Sequence, residues 1–181
     1  MQRKNFSLFV IVIYCVILAA GQVHEAAKSG DAAALCSLLN SDPSLLYQMD
    51  EQGKTPLHWA TGRGQLAIIR LLLDIYHTDV NVKNKNGGTP LHVAASQAQP
   101  TAALILIEHG ADVNAMASDG CTPLHYAALK SKDGHLEVAK ILLQHKADPD
   151  VRAKNRATPM SMARFRKNTK MMQLLKEYGA R

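Results

Sequence analysis

Four closely similar hexapeptides punctuate this 181-residue chain: TPLHWA from Thr55, TPLHVA from Thr89, TPLHYA from Thr122 and TPMSMA from Thr158. The steps between them are 34, 33 and 36 residues. A motif returning at such a period restricts the chain to stacked copies of one supersecondary unit, each burying its apolar face against the next. Leu, Ile, Val and Ala are plentiful enough for a single continuous core, and no linker or low-complexity segment divides it.

The residue types define the unit. Each motif Thr is placed to N-cap a helix, its hydroxyl accepting from an orphan backbone N–H. The following Pro (Pro56, Pro90, Pro123, Pro159) suits the first helical turn, where no N–H bond is lost. Leu57 with Ala60, Leu91 with Ala94 and Leu124 with Ala127 fall on one apolar stripe, and Ala lets helices approach closely. A turn is expected next, at Gly62-Arg63-Gly64 or Asp133-Gly134, with Gly as a left-handed C-cap. Second amphipathic helices are expected over 66–73, 102–107 and 136–143. Each is too short to stand alone in water, so packing must hold it.

Gly110-Ala-Asp-Val-Asn114 and Ala147-Asp-Pro-Asp150 carry the chain into the next unit. On T-P-L-H-x-A at a period near 33 and this G-A-D-x-N link, the chain resembles the ankyrin-repeat family over roughly Gln22 to Arg181. The resemblance implies an all-α solenoid of about five helix-turn-helix units joined by β-turn loops. The units fall near 22–54, 55–88, 89–121, 122–157 and a capping 158–181. The first is weaker, with Gly21-Gln-Val-His24 in the place of T-P-L-H, 34 residues before Thr55, then a second helix over 32–39. The last has Ser161 in place of His and a polar run from Arg164 to Lys170, as a terminal repeat requires. Three departures stand out: Ala98 where the helix-ending Gly belongs, Arg156 in place of the loop Gly, and about three extra residues between Lys130 and Asp133.

Residues 1–21 stand outside the repeats. Arg3 and Lys4 precede an uncharged apolar stretch from Phe6 to Ala20, closed by the small residues of Leu18-Ala-Ala-Gly21. That is the layout of a secretory signal peptide cut after Gly21. An uncleaved anchor and a buried structural helix are the alternatives, the apolar run being shorter than the ~20 residues that span a bilayer comfortably. Under the first two, the charge before the apolar run keeps the N-terminus cytoplasmic and sends the repeats out, to a periplasmic or secreted location or to a membrane-anchored one. Cys15 lies inside the apolar run and follows Tyr14, so no lipid anchor is indicated. Cys36 and Cys121 lie in different repeats, too far apart in a linear stack for a bridge that needs Cα atoms within about 7 Å.

The formal charge of +6 is unevenly spread: residues 22–150 hold 10 basic and 14 acidic side chains, net −4, and residues 151–181 hold 9 basic and 1 acidic, net +8. A basic end meets an acidic protein or an anionic lipid surface, or is a solvated cap; nucleic acid is disfavoured by export. A membrane enters only if the N-terminal segment is uncleaved or the basic cap holds one, and a monomer is expected.

Eight histidines invite a metal or catalytic reading. The resemblance instead makes His24, His58, His92 and His125 structural, bonded to the motif Thr and to loop backbone between repeats. One imidazole per layer, about 10 Å apart, cannot share a metal at ligand distances near 2 Å. His135-Leu-Glu137 has the H-x-E of zinc deaminases but no P-C-x-x-C follows. No Walker loop, G-x-S-x-G elbow or H-E-x-x-H occurs. No enzyme activity, cofactor or metal is expected, and surface remains.

Trp59 with Arg63, Val93 with Gln97, Tyr126 with Lys130 and Met162 with Arg166 pair at helical spacing on a face offset from the core stripe. In the family, first helices and loop tips line a concave groove. The candidate partner-binding residues are therefore Trp59, Arg63, Gln97, Tyr126, Lys130, Lys154 and Arg166, and an acidic protein is the candidate partner. For the two aromatics, binding anchor and inter-repeat packing remain equal alternatives.

Overall fold

The computed structural model describes residues 21–130 and 132–180; the leader expected over 1–21 lies outside them except for Gly21. Every described element is helical. The first unit is α1 (residues 21–29), α2 (Ala32–Ser41) and a 3-10 turn over Pro43–Tyr47. The next holds α3 (Pro56–Arg63) and α4 (Leu66–Arg70), which loosens into a π turn over Leu71–Ile75. Then follow α5 (Pro90–Gln97) with α6 (Pro100–Glu108), α7 (Pro123–Ala128) with α8 (Asp133–Gln144), and α9 (Pro159–Phe165) with α10 (Thr169–Glu177).

First helices stack on first helices, α3 on α5 on α7 on α9, and α4, α6, α8 and α10 form the second layer. Equivalent side chains repeat through the interior: Leu57, Leu91, Leu124 and Met160, then Ala60, Ala94, Ala127 and Ala163, all at most 2% exposed. From the second layer Ile68, Leu72, Leu106, Leu142, Met171 and Leu175 close the core. The period of the sequence is thus the period of the packing.

The starts of the first helices agree with the sequence. Thr55, Thr89, Thr122 and Thr158 are N-caps in extended backbone with Pro at the first helical position, and each closes a capping box with the residue three places on. The hydroxyl also meets the imidazole, at 2.9 Å in all three TPLH repeats, and at Thr158 it accepts from Ser161 N–H at 3.2 Å.

The helix ends correct the sequence reading in one place and sharpen it in two. Gly64 is a left-handed C-cap at φ +68°, as expected. Asp133-Gly134 is no turn: both residues open α8. Ala98 and Arg156 occupy the same left-handed region as the glycines they replace, at φ +56° and +62°.

Two ladders of polar bonds lock neighbouring units. Gln65 and Gln99, ahead of α4 and α6, donate back to the carbonyls of Lys28 and Gly62, and Asn168 to Lys130. Asn81 and Asn114 each donate to one carbonyl and accept one N–H of the following link, Gly110 with Asp112 and Lys146 with Asp148. Cys36 and Cys121 are free thiols. Burial, with Asp119 alongside, pushes the Cys121 thiol up to about 12.

Candidate protein-binding groove

The motif histidines form the floor of each layer. Nδ1 of His58, His92 and His125 takes the N–H of Thr55, Thr89 and Thr122 at 3.3, 3.1 and 3.1 Å, and the Thr hydroxyl points to the same nitrogen. A nitrogen accepting backbone N–H carries no proton, so the proton sits on Nε2. Nε2 then donates to the carbonyl of Gly88, Cys121 or Ala157 in the following loop, at 3.1, 3.0 and 3.2 Å. His24 reaches Gln48 O in the same manner at 2.8 Å. Burial is the main cause holding the three rings below the ordinary imidazole value, His58 at about 4. These are structural imidazoles, neutral at pH 7. No group of three metal-ligating side chains occurs among the described residues.

The loops ahead of α3, α5, α7 and α9 are tight fingers, closed by Asp50 N–H to Lys54 O, Asn84 to Gly88, Ala117 to Cys121 and Ala153 to Ala157. Their tips are tied in series: Lys85 Nζ donates to Glu51 O, Ser118 N–H to Asn86 O, and Lys154 N–H to Asp119 O. The fingers make one continuous wall beside the first helices.

Along that wall run two adjoining concavities. The first, about 210 Å³, is lined by Lys54, Trp59, Gly62, Arg63, Val93 and Gln97 among others. The second, about 420 Å³, includes Ser96, Gln97, Lys130, Lys132, His135 and Arg166. Gln97 lines both, so the two adjoin along the first helices. The structure therefore brings together five of the seven candidates: Trp59, Arg63, Gln97, Lys130 and Arg166. It separates Tyr126 and Lys154. Lys154 is exposed at a finger tip, and Tyr126 rests half-buried with its ring edge-on to His92, centroids 5.5 Å apart.

Trp59 is not paired with Arg63. Two lysines lie over its ring, Lys28 Nζ at 4.2 Å and Lys54 Nζ at 4.4 Å from the centroid, and its Nε1 donates to Asp50 Oδ2 at 2.8 Å. Burial works to raise the Asp50 carboxyl, but the N–H groups of Lys54, Trp59 and Gln52 outweigh it and hold the group below its usual range. Lys28, Asp50 and Lys132 were missed in the sequence. Lys28 is 31 positions from the ring it covers, and only the stacking of α1 against α3 reveals it.

Among the described residues no carboxylate lies within ion-pair distance of Arg63, Lys130, Lys132 or Arg166. Unpaired cations on a concave wall raise the local potential felt by an acidic chain.

A family model for ankyrin repeats in three copies matches residues 23–117, 75–153 and 115–181. The chain belongs to the ankyrin-repeat family. It is similar to serine/threonine-protein kinase VIK of Arabidopsis thaliana, 34% identical over 84 residues, 46% of this chain and 19% of the kinase. It is also similar to the 26S proteasome non-ATPase regulatory subunit 10 of Dictyostelium discoideum, 38% over 62 residues, 34% of this chain and 27% of the subunit. Inversin of Danio rerio is 35% identical over 68 residues, 37% of this chain and 7% of inversin. The chain thus spans less than a third of each relative's length. Ankyrin repeats are protein-interaction modules and generally non-catalytic.

Proposed function

We propose that this protein binds an acidic segment of a partner protein along the groove of its first helices, without catalysis, and that it does so outside the cytoplasm. The observation that carries the binding proposal is the set of four groove cations, Arg63, Lys130, Lys132 and Arg166, with no carboxylate in ion-pair contact among the described residues. An extended acidic chain seated there exchanges water for charge-assisted bonds and is drawn in by the field of the wall. Export rests on the sequence of residues 1–21, and the mass of the exported protein tests it: a start at Gln22, within about two residues, is expected. Retention of Met1 on protein extracted from membranes replaces the leader with an anchor.

The binding test starts with affinity capture from the native source. The captured partner is then titrated against the triple variant Arg63→Glu, Lys130→Glu, Arg166→Glu. The expected result is affinity lower by on the order of tenfold or more, an unchanged helical signal, and wild-type binding that weakens as salt rises. Undiminished affinity in the folded triple variant places the site elsewhere.

A second reading, a scaffold held at a membrane surface, has one observation in its favour. Phe165 is 77% exposed, with Arg164, Arg166 and Lys167 exposed beside it. Such a patch suits an anionic lipid surface. Among the described residues no helix is long and apolar enough to cross a membrane. Co-sedimentation with anionic vesicles that is lost in Phe165→Ser supports this reading, and absence of co-sedimentation removes it.

A further inference from the structure

The two ends of the array are shaped by the register that stacks its interior. Phe165, at the end of α9, is the most exposed large apolar side chain among the described residues. It stands two places past Ala163, as Gly62 stands two places past Ala60. Inside the array that place faces the following unit: a Cβ on Gly62 would lie 3.1 Å from Val93 Cγ1 and 3.9 Å from Gln97 Cγ. Two places on, Gly30 and Gly64 also face the following unit, where a Cβ would come 2.6 Å from Oε1 of Gln65 or Gln99. Lys167 holds that left-handed place in the last unit, at φ +53°.

The first unit supplies the other half. Glu25 and Ser29 stand to Ala26 as Val93 and Gln97 stand to Ala94, so they lie on the side that a unit turns to the one before it. There a concavity of about 460 Å³ is lined by Glu25, Ala26, Ser29, Asp31, Ala34 and Leu38 among others. The Glu25 carboxylate is 72% exposed, and Asp31 holds the place of Gln65 and Gln99 ahead of its second helix. The long amide that a side chain at the Gly64 place would strike is here a shorter carboxylate.

We infer that the first unit of one copy of this chain seats on the last unit of another, continuing the stack from molecule to molecule. In that register Phe165 closes on the concavity between Glu25 and Ser29, Arg166 falls beside Glu25 as Arg63 falls beside Val93, and Lys167 falls beside Asp31. The charges agree. Residues 22–54 hold 2 basic and 5 acidic side chains, net −3, and residues 158–181 hold 6 basic and 1 acidic, net +5. Like ends repel, so the contact joins unlike ends and extends without closing, and the monomer expected from the sequence is its dilute limit. The assignment concerns the array itself and does not depend on the groove partner proposed above.

Sedimentation velocity of the purified protein, from about 1 μM to about 1 mM, tests it. The average mass should rise with concentration and fall back as salt rises. Phe165→Ser should weaken association by at least about tenfold with the helical signal unchanged. Glu25→Lys with Asp31→Asn should do the same from the other end, since Asn keeps the cap of α2. Each of these variants retains one native end, so an equal mixture of the two should form dimers and nothing larger. Arg63→Glu should leave association unchanged. A wild-type protein that stays monomeric throughout, association that survives in either end variant, or a mixture no heavier than its components overturns the assignment. So does loss of association in Arg63→Glu, which would put the contact in the groove. If anionic vesicles capture a protein that stays monomeric, Phe165 belongs to the lipid reading and the end-to-end contact fails.

Discussion

At the scale of single residues, the three TPLH imidazoles tie folding to pH. Each is buried, accepts at Nδ1 and donates at Nε2, so a second proton, on Nδ1, would face the N–H of the motif Thr. Their folded-state pKa values lie below that of the unfolded chain, chiefly through burial. The unfolded chain therefore binds more protons in the interval between, and stability present above about pH 6.5 is lost as pH falls toward the folded values. For His58, at about 4, the contribution is about 3 kcal/mol. His109 works in the opposite sense, since its bond to Asp74 raises it. Urea unfolding between pH 7.5 and 4.5 should show midpoints dropping steadily below pH 6.5, and a flat profile would contradict the buried neutral assignment. Trp59 is the second residue-scale case. With two lysines over its ring and its Nε1 on Asp50, Trp59→Phe should lower stability by about 1–3 kcal/mol through the lost bond to a charged group. Denaturation equal to wild type would make the Asp50 contact dispensable. The motif histidines were legible from their place in TPLH; the surroundings of Trp59 were not, because its partners come from another repeat and a loop.

At the scale of elements, helix starts were written in the sequence and helix ends were not. Thr-Pro fixes a start wherever it occurs, since capping and a preset φ are both local. Ends depend on what the next unit allows. Ala98 takes a left-handed backbone that costs an L residue about 1–2 kcal/mol, held there by Gln99 on Gly62 and by Pro100 opening α6. Ala98→Gly should relieve that strain and raise the thermal midpoint by about 2–4 °C. A lower midpoint would show that the Ala98 methyl is needed as packing. Gly134 supplies the converse: a Cβ there would come within 3.0 Å of Ala98 Cβ and 3.1 Å of its carbonyl oxygen, so α8 needs glycine at that point for close approach, not for a turn. That distinction lies between repeats, and a single stretch of sequence does not carry it. The π turn at Leu71–Ile75 was hidden for a similar reason. Thr78 ends it by donating both its N–H, at 3.0 Å, and its hydroxyl, at 2.8 Å, to Leu72 O.

At the scale of the whole molecule, one period sets both the core and the surface. Stacking buries the same Leu and Ala positions in every layer and leaves the residue four places past each variable aromatic or aliphatic one facing the groove, which is why Arg63, Gln97, Lys130 and Arg166 come together. The basic character that composition assigned to residues 151–181 reaches back through Lys132, Lys130 and Arg63 across units whose own balance is acidic. The groove is thus positive in a part of the chain that counts as negative. The central claim is that partners meet this wall and not the second-helix layer, where Leu104 and Ile75 are exposed. Hydrogen exchange of the array, free and saturated with its captured partner, tests that most directly. Slowed exchange in α3, α5, α7 and the start of α8, with α4 and α6 unchanged, is the expected footprint; slowing confined to α4 and α6 would contradict the account.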